Sequence, residues 1–443
     1  METSFATRAG LFCAGTAMLV GCAPGAVEDT STATAAVTSP GHLAGISDAD
    51  FIVARDNFAL EETIDDGVGP VFNETACGHC HTNGALGGAG EQIERRYGAV
   101  VNGQFSSLSS SGGSLRQLQT AGHFMNGTQS CNVPLEVEPS GTTVHNVGRL
   151  TTPLFGLGLI DAMPDSFFIA LAAAEPAAVR GTVKMAAVLL PNPADASQDL
   201  STVRVARFGW KADISNLPTF AADAYKNEMG ITTQHCFRGQ SITAFSTESA
   251  PNGVPMPLGC DDLAPPAPDG VPPGTDDAVG ICAPDQTELQ EDIQNFITFM
   301  TFLAPLPRDQ GDVPAITAGA RLFNTVGCNG CHTTTTFRTP NPAPNGVPGG
   351  FAFNPFSDFL VHDMGSLGDM IGNDGDSVAT TRLMRTAPLW GIRFRNHLLH
   401  DGRTPDIATA VRAHDGQGRT SALAFGALNA NDQHNIVAFV RSM

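Results

Sequence analysis

The alternation of apolar and polar positions in this chain is mostly helical in period. Phe51, Ala54 and Phe58 recur at i, i+3, i+7 and predict a helix from near Ser47. An alanine-rich helix is expected from about Asp165, ended or kinked by Pro176. Asn216 can cap a third helix, with Pro218 in its first turn and Gly230 at its end. Within it Ala221, Tyr225 and Glu228 fall on one face, which sets a phenol beside a carboxylate. Leu289, Ile293, Phe296, Ile297 and Met300 predict a helix from about Thr287 to Leu303, stopped by Pro305. A short helix is expected over Ile316 to Val326, and another after Thr404 and Pro405, carrying Ile407, Val411 and His414 on one face. Gln104 to Gly113 reads as a surface loop, and Asn341 to Gly350 as a loop that could form a flap. The expected fold class is therefore mainly α, with long loops.

Two short stretches interrupt this pattern and carry its chemistry. Cys77-Gly78-His79-Cys80-His81 and Cys328-Asn329-Gly330-Cys331-His332 both read C-x-x-C-H, the attachment site of a c-type haem. Two residues between the cysteines let one tight turn present both sulfurs to the macrocycle, and the next histidine points its imidazole at the iron. A trailing histidine in both copies argues against a zinc half-site or a thioredoxin-like pair. Two covalently bound haem c groups (iron) are expected, held by Cys77, Cys80 and His81 and by Cys328, Cys331 and His332. After His81, glycines 84, 87, 88 and 90 mark a loop able to approach a haem edge closely. For His414 spacing leaves two readings open, a satisfied core histidine or a second axial ligand.

Length divides the chain. Its 443 residues suggest two to three domains, and the two C-x-x-C-H sites make two of them c-type cytochrome domains with one haem in each: 47–308, holding the first site, and 309–443, holding the second. Residues 1–22 read as a signal peptide ending in a lipobox, Leu19-Val20-Gly21-Cys22, with an ordinary secretory signal as the competing reading. Residues 23–46, rich in Ala, Thr and Ser, read as a flexible tether. The protein is thus expected on the periplasmic or extracellular side, lipid-anchored to a bacterial membrane. Its formal charge of −20 excludes a nucleic-acid role driven by a basic surface; it favours a positively charged redox partner if association is electrostatically steered, or only keeps an extracytoplasmic surface soluble. Cys131, Cys236, Cys260 and Cys282 remain as an even set able to form two disulfides in three ways; closing the Pro/Gly/Asp-rich run between Cys260 and Cys282 is the preferred pairing.

Taken together with Pro153 to Asp161 (PLFGLGLID), Arg207 to Ala212 (RFGWKA), Asn227 to Thr232 (NEMGIT), Asp358 to Gly365 (DFLVHDMG), Arg385 to Gly391 (RTAPLWG) and His400 to Gly402 (HDG), the two sites make the sequence resemble the bacterial di-haem oxidoreductases, also described as thiol oxidoreductases and related to di-haem cytochrome c peroxidases. The resemblance implies that His414, fourteen positions after His400, is the second ligand of the C-terminal haem, giving a bis-histidine, low-potential electron-transfer centre. It implies that Trp210 lies between the haems and Glu228 over an open iron. A glutamine expected nearby on that helix is replaced by Phe220 or Ala221. Tyr225 could line the same pocket, donate an electron, or only pack.

The function expected is a peroxidase-like oxidoreductase, reducing peroxide or activating dioxygen at the N-terminal haem, with electrons from a small donor protein or quinol-linked cytochrome relayed through the C-terminal haem. The alternative is a non-catalytic electron-transfer cytochrome, with His123, His145 or His235 as sixth ligand of the first haem. A polymer-cleaving oxygenase would require a hydrophobic channel that the sequence does not reveal, and thiol oxidation rests on the family label alone. His362 could hold a propionate; His400 is the runner-up ligand, ahead of Met364, Met370 and Met384. Arg385 and Arg393 could neutralise propionates.

Overall fold

The structure is a computed structural model that describes residues 41–443 except 127, 248, 258–259, 261–281, 283–286 and 290. The signal peptide, Cys22 and the tether as far as residue 40 lie outside the described residues. Helix Asp48–Phe58 starts where Ser47 accepts a hydrogen bond from the Asp50 amide, and it buries Phe51, Ala54 and Phe58. Those rings meet helix Glu291–Phe302, with Phe58 and Phe299 4.6 Å apart. Helix Leu217–Met229 begins and ends as its sequence dictates: Asn216 accepts from the Thr219 amide, a cap worth about 1 kcal/mol, and Gly230 closes it at φ 77°. The glycine-punctuated turn Leu157–Asp161 packs so closely on Glu291–Phe302 that a Cβ on Gly158 would stand 1.9 Å from the Thr301 carbonyl oxygen.

A second apolar cluster gathers around Phe323, Phe425, Ile436 and Phe439. Here helix Val313–Thr325 crosses helix Ala430–Arg441, and Gly319 sits where a Cβ would meet the Asn435 carbonyl oxygen at 1.9 Å. The larger cluster runs from Leu43 to Trp390 and holds most of the buried aromatic rings.

The mainly α expectation is wrong. The chain is 32% helix and 18% strand, a mixed α/β fold with many small sheets. The largest is organised on Ile93–Val101, paired antiparallel with Gln104–Ser106, Leu115–Arg116 and Val144–Leu150. Most other strands span two to four residues, too short for a period-two pattern to stand out. Part of the Gln104–Gly113 segment read as loop is thus a hairpin strand. Asn341–Gly350 forms no flap, because Val347 is buried in the main cluster and Asn345 donates to the Gly158 carbonyl.

The disulfides also differ from the preferred pairing. They join Cys131 to Cys260 and Cys236 to Cys282. Strand Thr287–Glu288 pairs with His235–Phe237, and this brings the chain leaving Cys282 back beside Cys236. Peptide mapping of the unreduced protein is expected to recover these two crosslinked pairs; a Cys260–Cys282 peptide would contradict the fold of this segment.

Candidate functional site: two cavities and a shared wall

Cys77–Cys80 forms a single helical turn, and the His81 amide closes on the Cys77 carbonyl at 3.1 Å. The loop that follows folds tightly back over it. A Cβ on Gly88 would stand 1.9 Å from the Asn83 oxygen, and one on Gly90 1.7 Å from the Cys80 oxygen, so only glycine fits at either place. The Gly88 carbonyl lies 3.0 Å from His81 Nδ1. Burial lowers the His81 pKa to about 4 against the opposing effect of the Gly88 and Thr152 carbonyls, so the ring is neutral, with Nδ1–H donating to Gly88 as in a metal-binding imidazole. Burial also raises the Cys77 thiol far above its usual range and Cys80 to about 12, the opposite of a reactive thiolate pair.

The second site repeats the device. Cys328–Gly330 makes a short 3₁₀ turn, the His332 amide meets the Cys328 carbonyl at 3.0 Å, and His332 Nδ1 lies 2.9 Å from the Phe356 carbonyl. Across the cavity stands His414, its Nδ1 held 2.9 Å from the Ala410 carbonyl. Burial depresses the pKa of both rings, His332 to about 4. Their centroids are 6.5 Å apart. Two metal–nitrogen bonds of roughly 2.0–2.1 Å plus the half-width of each ring make up such a distance. One metal ion therefore fits between them. His362 lines the same cavity with Nδ1 3.6 Å from Cys331 Sγ. Burial opposes its charge, but Asp358, 2.9 Å from its Nε2, outweighs that and raises its pKa to about 11.

The two cavities measure about 190 Å³ around Cys328, Cys331, His332 and His414, and about 510 Å³ around Cys77, Cys80 and His81. Trp210 lines both. Its Nε1 donates to the Leu150 carbonyl at 2.7 Å, and its ring meets His400 edge-on at 6.3 Å. Leu150 lines the larger cavity and His400 the smaller, so the indole is pinned by one residue from each side. Below it Lys211 and Arg149 share the buried carboxylate of Asp369 at 2.9 and 2.8 Å.

The larger cavity contains one histidine, His81, among its described lining residues, and Glu228 and Tyr225 as the helical spacing places them. Asn73 Nδ2 donates to Glu228 Oε2 at 2.7 Å. Burial, then the nearby Glu94 carboxylate, raises the Glu228 pKa to about 8 against the opposing pull of Asn73 and Arg96. Tyr225 is buried against Phe296, with its hydroxyl a long 3.4 Å from Asp292.

Glu94, Arg96 and Asn73 escaped the sequence reading. Glu94 and Arg96, an ion pair, share one face of a strand, and the signal was present only as their i, i+2 spacing. His123, His145 and His235 do not line either cavity: they meet Ser130, Glu138 and Thr233. Met364 and Met384 line the smaller cavity; Met370 does not. Arg385 lines it, but Arg393 turns away to the Pro307 and Met443 carbonyls, while Arg395, unremarked in the sequence, lines the wall.

A family model described as "Di-haem oxidoreductase, putative peroxidase" matches residues 128–443. The chain belongs to this family. The di-haem oxidoreductase match includes the second C-x-x-C-H site, Trp210, Glu228 and His414, and begins after the first C-x-x-C-H site. No curated protein matches the chain. A solved structure similar over part of it is Kuenenia stuttgartiensis hydrazine synthase pressurised with 20 bar xenon, at 16% identity, 36% of this chain, 57% of that one and a TM-score of 0.24. Haem is the cofactor of the family, and both cavities have the donors to hold one.

Gly90→Ala, which drives a methyl into the Cys80 carbonyl, is expected to lower the haem content of the purified protein from two per chain toward one. His414→Met, which sets a thioether where an imidazole faces His332 across the smaller cavity, is expected to raise the lower of the protein's reduction potentials, as redox titration reads it.

Proposed function

We propose that this di-haem oxidoreductase is a peroxidase-like enzyme with both haems attached as c-type groups, working on the periplasmic or extracellular side as a lipid-anchored protein. The reaction is H2O2 + 2 e⁻ + 2 H⁺ → 2 H2O. The observation that carries the reading is the asymmetry of the two cavities: opposed histidines His332 and His414 in one, a single histidine facing a carboxylate-bearing helix in the other. A bis-histidine centre suits electron transfer, and a centre with one histidine leaves a face for substrate. The two disulfides support an oxidising compartment.

The haems, when bound, supply the redox chemistry. The chain supplies the rest. Glu228, with Oε2 committed to Asn73, accepts a proton from peroxide on Oε1 and returns it to the departing oxygen. Arg96, paired with Glu94, opposes the rise in the proton affinity of Glu228 that burial causes. Electrons enter at the smaller cavity from a cationic donor protein drawn to the acidic surface, then cross by way of Trp210. Tyr225 packs the Glu228 helix against Phe296 and holds that helix in register. An electron-transfer cytochrome with two histidines on each iron is disfavoured, because none of the three histidines considered for the first haem lines its cavity. Met229 and Met300, the lining thioethers, are packed in the main apolar cluster.

Only ionised Glu228 accepts a proton, so with its pKa near 8 the peroxide-reducing rate is expected to rise with pH through about 8. Glu228→Gln is expected to lower kcat about 10²- to 10⁴-fold and to erase that limb; a limb that survives the substitution would remove Glu228 from the mechanism. Electron paramagnetic resonance of the oxidised protein, repeated after partial reduction, tests the whole reading: one low-spin bis-histidine signal beside one signal altered by peroxide is expected. Two low-spin signals indifferent to both treatments would leave an electron-transfer protein.

A further inference from the structure

The cations of the two cavities are not treated alike. In the larger one, Arg96 is paired with Glu94, and Arg149 and Lys211 with Asp369. In the smaller one His362 has Asp358. Arg385 and Arg395 line the same smaller cavity, and among the described residues neither has a carboxylate within ion-pair distance. Arg385 donates to the carbonyls of Gly209 and Thr386, and Arg395 to those of Pro388 and Trp390. Arg395 Nε is buried with no partner at all. Two like charges thus line one cavity inside the protein, and the nearby carboxylate, Asp358, is bound to His362.

We propose that Arg385 and Arg395 form a carboxylate clamp for the propionates of the haem in the smaller cavity, on the side of that cavity next to Trp210. The proposal rests on the reading of this cavity as a haem site. Three observations carry it. Both arginines line the cavity, one has a buried N–H without an acceptor, and the fork of arginine matches a carboxylate. The position follows from the main chain, since the Arg385 amide donates to the Trp210 carbonyl at 2.8 Å and its Nε to the Gly209 carbonyl at 2.6 Å. Burial lowers both pKa values to about 10; for Arg385 the neighbouring Arg395 adds to that and the Asp358 carboxylate, already bound to His362, opposes it. The clamp sets the propionates against the wall through which electrons leave.

Redox titration of the low-spin haem in Arg385→Gln and Arg395→Gln, followed by its visible absorption over a range of pH, tests the clamp. A cation beside the haem favours the reduced form. Each variant is therefore expected to have a lower potential than wild type at alkaline pH, and one that climbs as pH falls, because a released propionate regains a proton. Arg395→Lys serves if a glutamine variant does not fold, with a smaller shift in the same direction. Potentials that coincide with wild type at every pH would overturn the proposal. So would a wild-type potential that moves with added inorganic phosphate, which would mean that the arginines hold a free anion. Absence of the low-spin bis-histidine signal from the wild type would instead defeat the reading of the cavity.

Discussion

Three imidazoles, each tied through Nδ1 to a main-chain carbonyl, are the points from which the rest of the molecule is measured. Gly88 holds His81, Phe356 holds His332 and Ala410 holds His414. A hydrogen bond of this kind fixes both the tautomer and the plane of the ring, so the nitrogen offered to a metal is decided by backbone geometry. The requirement spreads outward. The Gly88 carbonyl can reach His81 only if the loop collapses onto the C-x-x-C-H turn, which the glycines at 88 and 90 allow. The Ala410 carbonyl can reach His414 only if the helix Ile407–Arg412 ends where it does, three residues after Thr409 is capped by Asp406.

Charge divides the two cavities as sharply as ligand count does. The larger one gathers carboxylates, Glu94, Asp223 and Glu228, around Arg96, and every cation there is already neutralised. Proton chemistry belongs in such a place, because neighbouring carboxylates raise one another's affinity for a proton. The smaller cavity carries a surplus of positive charge, suited to hold an anionic group and an electron. Trp210 stands at the border, hydrogen-bonded toward one side and in ring contact with the other.

Much of this was legible in the sequence where the information is local. Cys77 to His81 and Cys328 to His332 declare themselves by spacing, and Asn216, Pro218 and Gly230 mark both ends of the helix that brings Tyr225 and Glu228 to one cavity. Trp210 and His414 needed the whole set of motifs, because a lone tryptophan or a histidine on an apolar face reads as core. What the sequence hid is non-local. Glu94 and Arg96 reach the cavity only once Ile93–Val101 is known to be a strand paired with Val144–Leu150. Arg393 and Arg395 are two residues apart at the end of a 3₁₀ turn, and only the fold decides which faces inward. Strands of two or three residues have no period to read, which is why a mixed fold looked mainly helical.

The crosslink pattern has a topological consequence. Cys131–Cys260 closes wholly on the N-terminal side of residue 261, whereas Cys236–Cys282 spans the stretch beyond it. A single cut of the chain between Cys260 and Cys282 would therefore yield two polypeptides, each with its own C-x-x-C-H site, joined covalently by one sulfur–sulfur bond. Reduction would cut that last covalent link, and the packing of Asp48–Phe58, Leu157–Asp161 and Leu217–Met229 on Glu291–Phe302 would be left to hold together two chains with one C-x-x-C-H site each.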